Sequence, residues 1–334
     1  MPPARPDGPV SLRAEVSDLF TEIEHRLRHN GAPDGVPTGF RRVDEALRGL
    51  RPGHLTVLAG ERGAGKTALM NTLVIGAASA PAQGEQGAET ERVAPAKAHG
   101  VLLASLATKR AAVTARLLLC GTSVPRKRFH AVHLHASDWM ALTRSANERA
   151  AAAIWLHDPS DVSLSALREA VRAAAAAAAE GPAAVELVVI DDADLLAAPD
   201  PSAPRAEQVD AVGRELKRLA LELDVAVLAV TQPDPGARLD DPATLASPAA
   251  LAAAIGLARH ADAVLVLRPR AQPAPAGAGD DPLEPDTPAR HRALDLVVQG
   301  GWHGSPCVVR LFHDLRLDSV RESHLERRRA RSSG

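Results

Sequence analysis

From residue 54 onward, short apolar runs recur along the chain, separated by stretches with helical spacing. The runs "HLTVLAG" (54–60), "GVLLASL" (100–106), "AAIWLHD" (152–158), "VELVVIDD" (185–192), "VAVLAVTQ" (225–232), "DAVLVLRP" (262–269) and "LDLVVQG" (294–300) read as strands. Most are continuous rather than alternating, as expected of strands buried on both faces. Their alternation with helices predicts an α/β domain: a mostly parallel central sheet flanked by helices.

Ahead of this pattern, residues 10–29 place Leu12, Val16, Leu19, Phe20, Ile23 and Leu27 on one helical stripe. "NGAPDGVPTG" then breaks the helix with Gly and Pro. A stripe isolated this way must cover itself on its own domain or on a neighbouring subunit, and packing on its own domain is the default expectation. The chain therefore divides into a tail and amphipathic helix (1–35), an α/β domain (36–320) and a basic tail (321–334). Segments 81–99 and 270–292, rich in Pro, Gly and polar residues, are expected to be mobile loops. The alanine run 173–179 reads as an exposed or half-buried helix.

Composition narrows the function classes. Hydrophobic residues make up 46% of the 334, but aromatics only 2%, so aliphatic side chains must fill the core. A net charge of −2 argues against coating nucleic acid by bulk electrostatics. Two cysteines give neither metal spacing nor a disulfide framework, which suits a reducing compartment. No signal-peptide core and no membrane-length apolar run is present, so a cytoplasmic protein without membrane contact is expected.

The candidate chemistry begins where the first strand ends. Gly60-Glu61-Arg62-Gly63-Ala64-Gly65-Lys66-Thr67 fits the P-loop pattern and lies between a hydrophobic strand and a helix. Such a loop leaves backbone N–H groups, including those running into Ala68, to converge on phosphate oxygens. Lys66 would reach the β- and γ-phosphates of ATP, and the Thr67 hydroxyl would hold Mg²⁺. An acid for the Mg²⁺ shell is expected at the end of a neighbouring strand. "ELVVIDDADLL" supplies Asp191, with Asp192 after it. Carboxylates leaving a buried strand are costly unless they serve a cation. Gln232, ending "VAVLAVTQ", reads either as a γ-phosphate sensor or as a satisfied strand-end amide.

"GVPTGFRRVDEALRGLRPGHLTVLAGERGAGKTAL" resembles the lead-in and P-loop of DnaB-type replicative DNA helicases. The likeness continues through "GVLLASLATKRAAVTARLL", "VELVVIDDADLL" and "ELKRLALELDVAVLAVTQ", covering residues 10 to about 315 in order. It implies a RecA-like P-loop NTPase fold, a homo-oligomeric ring with ATP between subunits, and translocation on single-stranded DNA. It further implies that the 10–29 helix docks on the adjacent subunit, that Asp191 serves Mg²⁺, and that Gln232 senses the γ-phosphate. The family's N-terminal helical domain has no counterpart in this sequence. A signalling P-loop ATPase also fits "GERGAGKTAL" and "IDDADLL", but the GVPTGF segment and the TQ strand end count against it.

Departures from the family pattern fall on catalysis. The family carries a water-polarising glutamate where "ASLATKR" has Ala107, and alanine cannot orient water or take a proton. The family's trans-acting Lys and Arg align with Gln299 and Gly301. Asp192 could replace the lost base, and Arg259, Arg290 or Arg292 the lost finger, though no spacing selects one of the three. The segment expected to face DNA, "AAPDPSAPRAEQ", holds one arginine between Asp200 and Glu207, less basic than a phosphate-tracking loop should be. ATP binding with impaired hydrolysis is the expectation, with a regulatory or assembly module as the alternative to a working helicase.

Overall fold

The computed structural model describes residues 10–28, 34–79, 98–179, 181, 183–270, 291–300 and 306–323. Most of both expected mobile segments, together with Arg290, Gly301 and the basic tail beyond residue 323, lies outside these residues.

All seven expected strands form. They are β1 (Leu55–Ala59), β2 (Gly100–Ser105), β3 (Ile154–His157), β4 (Val185–Asp191), β5 (Ala226–Thr231), β6 (Ala263–Pro269) and β7 (His291–Gly300). Two further strands, β8 (Cys307–Asp314) and β9 (Ser319–Glu322), were not anticipated. The sheet runs β3-β2-β4-β5-β1-β6-β7-β8-β9. Strands β1 to β6 pair in parallel, and β7 to β9 add an antiparallel wing.

Helices α1 (Leu12–Arg28), α2 (Arg41–Leu47), α3 (Lys66–Ala78), α4 (Arg110–Leu119) and α5 (Arg126–His130) fall in the first half of the chain. Then follow α6 (Ala136–Ala151), α7 (Leu164–Ala178), α8 (Arg205–Leu223), α9 (Pro242–Ala246) and α10 (Pro248–Ala254). Alternate residues of each central strand enter different cores. On one face Leu103, Val189 and Leu228 meet Leu69, Leu73 and Val74 of α3. On the other, Leu102, Val188 and Val227 meet Leu167 and Val171 of α7 and Leu216 of α8. This two-sided burial is why the strands read as unbroken apolar runs. The alanine run behaves as expected: Ala174 and Ala178 are buried on α7, and the alanines between them are exposed.

Helix α1 is amphipathic, yet its apolar stripe is uncovered. Leu12 is 78% and Phe20 62% exposed, and Val16, Leu19 and Ile23 also face solvent. Packing on its own domain, one of the two outcomes the stripe allowed, is thus not how this chain covers these five side chains. No helix among the described residues is long and apolar enough to cross a membrane.

Candidate nucleotide-binding site

The carboxyl ends of the parallel strands form one edge of the sheet, the usual location for ligands in open α/β folds. The sequence placed the acid on a strand next to the P-loop strand; β5 in fact lies between them, pairing β1 on one side and β4 on the other. Gln232, directly after β5, therefore sits between the P-loop and the acids.

The P-loop is built by close backbone approach. A Cβ on Gly60 would lie 2.5 Å from the carbonyl oxygen of Leu267, so only glycine fits there. Gly65 caps α3 at φ 104°, turning the chain so that the helix opens at Lys66. The first-turn N–H groups of α3 at Lys66, Thr67 and Ala68 have no carbonyl four residues back to receive them. With the helix dipole they make an anion-attracting mouth. Glu61, Arg62 and Gly63 are exposed at the rim, and Ala64 is buried beneath it. Lys66 folds over its own loop, its Nζ donating to the carbonyls of Gly60 (2.6 Å) and Glu61 (3.1 Å). Desolvation lowers its pKa, partly opposed by Asp192, Asp191 and Asp194. An ammonium held only by loop carbonyls, among free N–H groups, fits a bound polyphosphate.

Facing it, Asp191 ends β4 in register with Ser105 of β2. Burial raises its pKa and Asp192 adds to the rise, while Arg116 of α4 and Lys66 pull the other way. Asp192 and Gln232 come together: Gln232 Nε2 donates to Asp192 Oδ2 at 3.1 Å. Asp194, which sequence reasoning passed over, completes the group. Its carboxylate accepts the Thr231 hydroxyl at 2.5 Å and the Gln232 backbone N–H at 2.8 Å. Its own N–H donates to Asp192 Oδ1 at 3.3 Å. Burial pushes the Asp194 carboxyl up to about 6, against the lowering effect of those two donors. In the sequence it is one more acid after the motif, and its bonds to β5 span a separation that no local pattern reveals.

Among the described residues no group of three or more His, Cys, Asp or Glu side chains could hold a metal. Mg²⁺ does not require one, because it keeps waters and substrate phosphates beside one or two protein ligands. Thr67 and Asp191 fit that donor set: one hydroxyl and one carboxylate at the rim of the phosphate mouth.

The departures also take positions. Ala107 is exposed just past Leu106, whose N–H donates to the Asp191 carbonyl at 2.6 Å. Gln299 pairs with Val264 near the start of β6, at the opposite edge of the sheet. It is buried, and its Oε1 has no hydrogen-bond partner among the described residues. Arg259 is paired within the chain, to Asp210 of α8. Arg292 donates to the carbonyl of Gly63 at 2.7 Å and so touches its own P-loop. Arg205, the one arginine of the 197–208 segment, is exposed and donates to the Asp194 carbonyl at 3.2 Å. Asp200 holds Ser202, and Gln208 holds the carbonyls of Pro201 and Ala203.

Comparison with known proteins agrees with this geometry. The chain is 27% identical over 223 residues to a protein called replicative DNA helicase DnaB from Leifsonia xyli, covering 67% of this chain and 44% of that one. It is 26% identical over 221 residues to the Treponema pallidum protein of the same name, covering 66% and 46%. The chain thus spans less than half the length of these curated relatives. Among solved structures, one described as an ATPase domain superposes with a TM-score of 0.73 at 20% identity, covering 95% of this chain and all of that one. A DnaB-like replicative helicase, solved in a study of its interactions with primase, gives 0.69 at 20% identity, covering 94% and 67%. These likenesses establish the RecA-like fold. The family model for the DnaB-like helicase C terminal domain matches residues 35–266, and the chain belongs to that family.

Proposed function

We propose that this chain binds ATP with Mg²⁺ and turns it over far more slowly than a working helicase. Gly60 to Ala68 receive the phosphates, with Lys66 moving from the loop carbonyls to the phosphate oxygens. Thr67 and Asp191 hold Mg²⁺, which supplies charge neutralisation between the phosphates. Gln232 reports the γ-phosphate. The observation that carries the slow turnover is position 107: at the edge where a carboxylate would orient water there is a methyl group. The burial of Gln299 supports it, since a side chain inside the sheet cannot serve a neighbouring subunit.

The exposed stripe of α1 supports self-assembly, with Leu12, Leu19 and Phe20 covered by a second copy. A ring of such subunits would act as a nucleotide-dependent regulatory or assembly module.

A second reading is an ATP-driven helicase or translocase on single-stranded DNA. It is favoured by the helicase names its relatives carry and by Asp192, an acid held beside Gln232. The 197–208 segment weighs against it, because its single arginine lies between Asp200 and Glu207 and is engaged with the Asp194 carbonyl, a poor match to a phosphate backbone.

Steady-state ATP hydrolysis with and without single-stranded DNA, beside Lys66→Ala, separates the two. Tight ATP binding with turnover no better than that variant supports the module. DNA-stimulated turnover that the variant abolishes overturns it in favour of the helicase.

A further inference from the structure

The antiparallel wing does more than extend the sheet. Arg292 of β7 and His313 of β8 are directly opposed cross-strand partners, so their side chains share one face. That face meets the P-loop. Arg292 Nη1 donates to the Gly63 carbonyl at 2.7 Å. A Cβ on Gly65 would lie 3.3 Å from His313 Nδ1 and 3.5 Å from Leu294 Cδ1. The two side chains therefore hold the loop at its rim and at the residue that opens α3.

The outer partner of the pair is itself anchored. His313 is buried, and its Nε2 lies 3.4 Å from Asp318 Oδ1. Asp318 Oδ2 accepts from Arg126 of α5 at 3.1 Å, and its backbone carbonyl accepts the Cys120 thiol at 3.4 Å. Arg126, Asp318 and His313 thus form a side-chain line from α5 that ends packed against Gly65 of the loop. Arg292, in contrast, has one partner among the described residues, and its remaining N–H groups stay available at the loop.

We infer that Arg292 and His313 are positioning residues that hold the P-loop in its anion-receiving form, and that Arg292 adds a cation beside the bound phosphates from within the same subunit. This rests on the ATP-binding reading of the same loop. Arg292 is thereby committed to its own site and is not a finger for a neighbour's. The loop's backbone N–H groups are useful only when they converge, and Gly63 and Gly65 are the points where an unsupported loop would open.

The test is ATP affinity of the full chain with Mg²⁺, measured by calorimetry, beside the melting temperature of the nucleotide-free protein. Wild type is compared with Lys66→Ala, Arg292→Ala, Arg292→Lys, Arg292→Gln and His313→Phe. Arg292→Ala should weaken ATP binding roughly three- to tenfold, the scale of one hydrogen bond, with the melting temperature unchanged. Arg292→Lys should restore most of the affinity, and Arg292→Gln less, because it keeps a donor but not the charge. His313→Phe keeps the ring volume and loses the Asp318 link; it should weaken binding by a smaller factor. An Arg292→Ala affinity within twofold of wild type, or a loss that only parallels a fall in melting temperature, would overturn the inference while leaving ATP binding intact. Wild type that binds ATP no better than Lys66→Ala would overturn the ATP-binding reading itself.

Discussion

The backbone N–H of Gln232 donates to Asp194 Oδ2 at 2.8 Å, fixing the end of β5 against the turn that follows β4. The same glutamine's side chain reaches Asp192. The residue proposed to sense the γ-phosphate is therefore held by two acids, and Asp194 decides where its backbone sits.

Replacing Asp194 by alanine leaves the Gln232 N–H without its acceptor and the Thr231 hydroxyl with only the Gln232 carbonyl, 3.2 Å away. The loss should cost about 1–3 kcal/mol of stability, read in chemical denaturation. Residual ATP turnover should fall more than ATP affinity, because Gln232 is misplaced while the P-loop is untouched. An equal loss in both would place Asp194 in binding rather than in positioning the glutamine.

Lys66→Ala removes the ammonium that lies across the loop carbonyls. ATP affinity should drop by at least about tenfold, or ~1.4 kcal/mol, with little change in melting temperature. Calorimetry with Mg²⁺ and ATP reads this directly.

Ala107→Glu returns a carboxylate to the edge beside Asp191. If the rest of the site is competent, hydrolysis should rise by roughly tenfold to a hundredfold, at or below the usual range for a general base. A flat rate would place the main defect at the missing trans-acting cation.

Asp44 of α2 gives a pH signature. Its Oδ1 accepts the Thr38 N–H at 2.8 Å, its Oδ2 is buried without a partner among the described residues, and burial raises its pKa from 3.8 to about 7. A carboxyl raised on folding binds its proton more tightly in the native state. Its contribution is present in full below pH ~4 and is lost as the pH climbs toward about 7. The slope is at most about 1.4 kcal/mol per pH unit. Asp44→Asn should flatten the dependence of melting temperature on pH between 4 and 7; an unchanged profile would refute the assignment.

The exposed stripe of α1 predicts that Phe20→Asp disperses the proposed self-assembly. Light scattering after size-exclusion chromatography should show a shift toward monomer, with ATP affinity per chain affected only where a neighbour completes the site.

The parallel core was legible because strands buried on both faces leave unbroken apolar runs. The phosphate loop was legible because its glycines are dictated by local backbone geometry, as at Gly60 against Leu267. Strand β8 escaped because it lies on the outer wing: Val309 and Leu311 are buried, while Val308 and Arg310 between and beside them face solvent. Its run also ends in His313 and Asp314, which look like loop residues until β7 is laid beside them. Asp194, Arg292 and His313 share one difficulty. Each acts through a partner far away in the chain, and each is of a type that surfaces carry in abundance.

Strand β5 is hydrogen-bonded along its length to β1 on one side and β4 on the other. It cannot slide toward either without breaking a ladder, so the distance between phosphate loop and acids is set as by a fixed spacer. A displacement at Gln232 would therefore pass to what it is bonded to: through Asp192 and Asp194 to the end of β4, and along the chain into the turn at 233–236 that leads to α9 and α10.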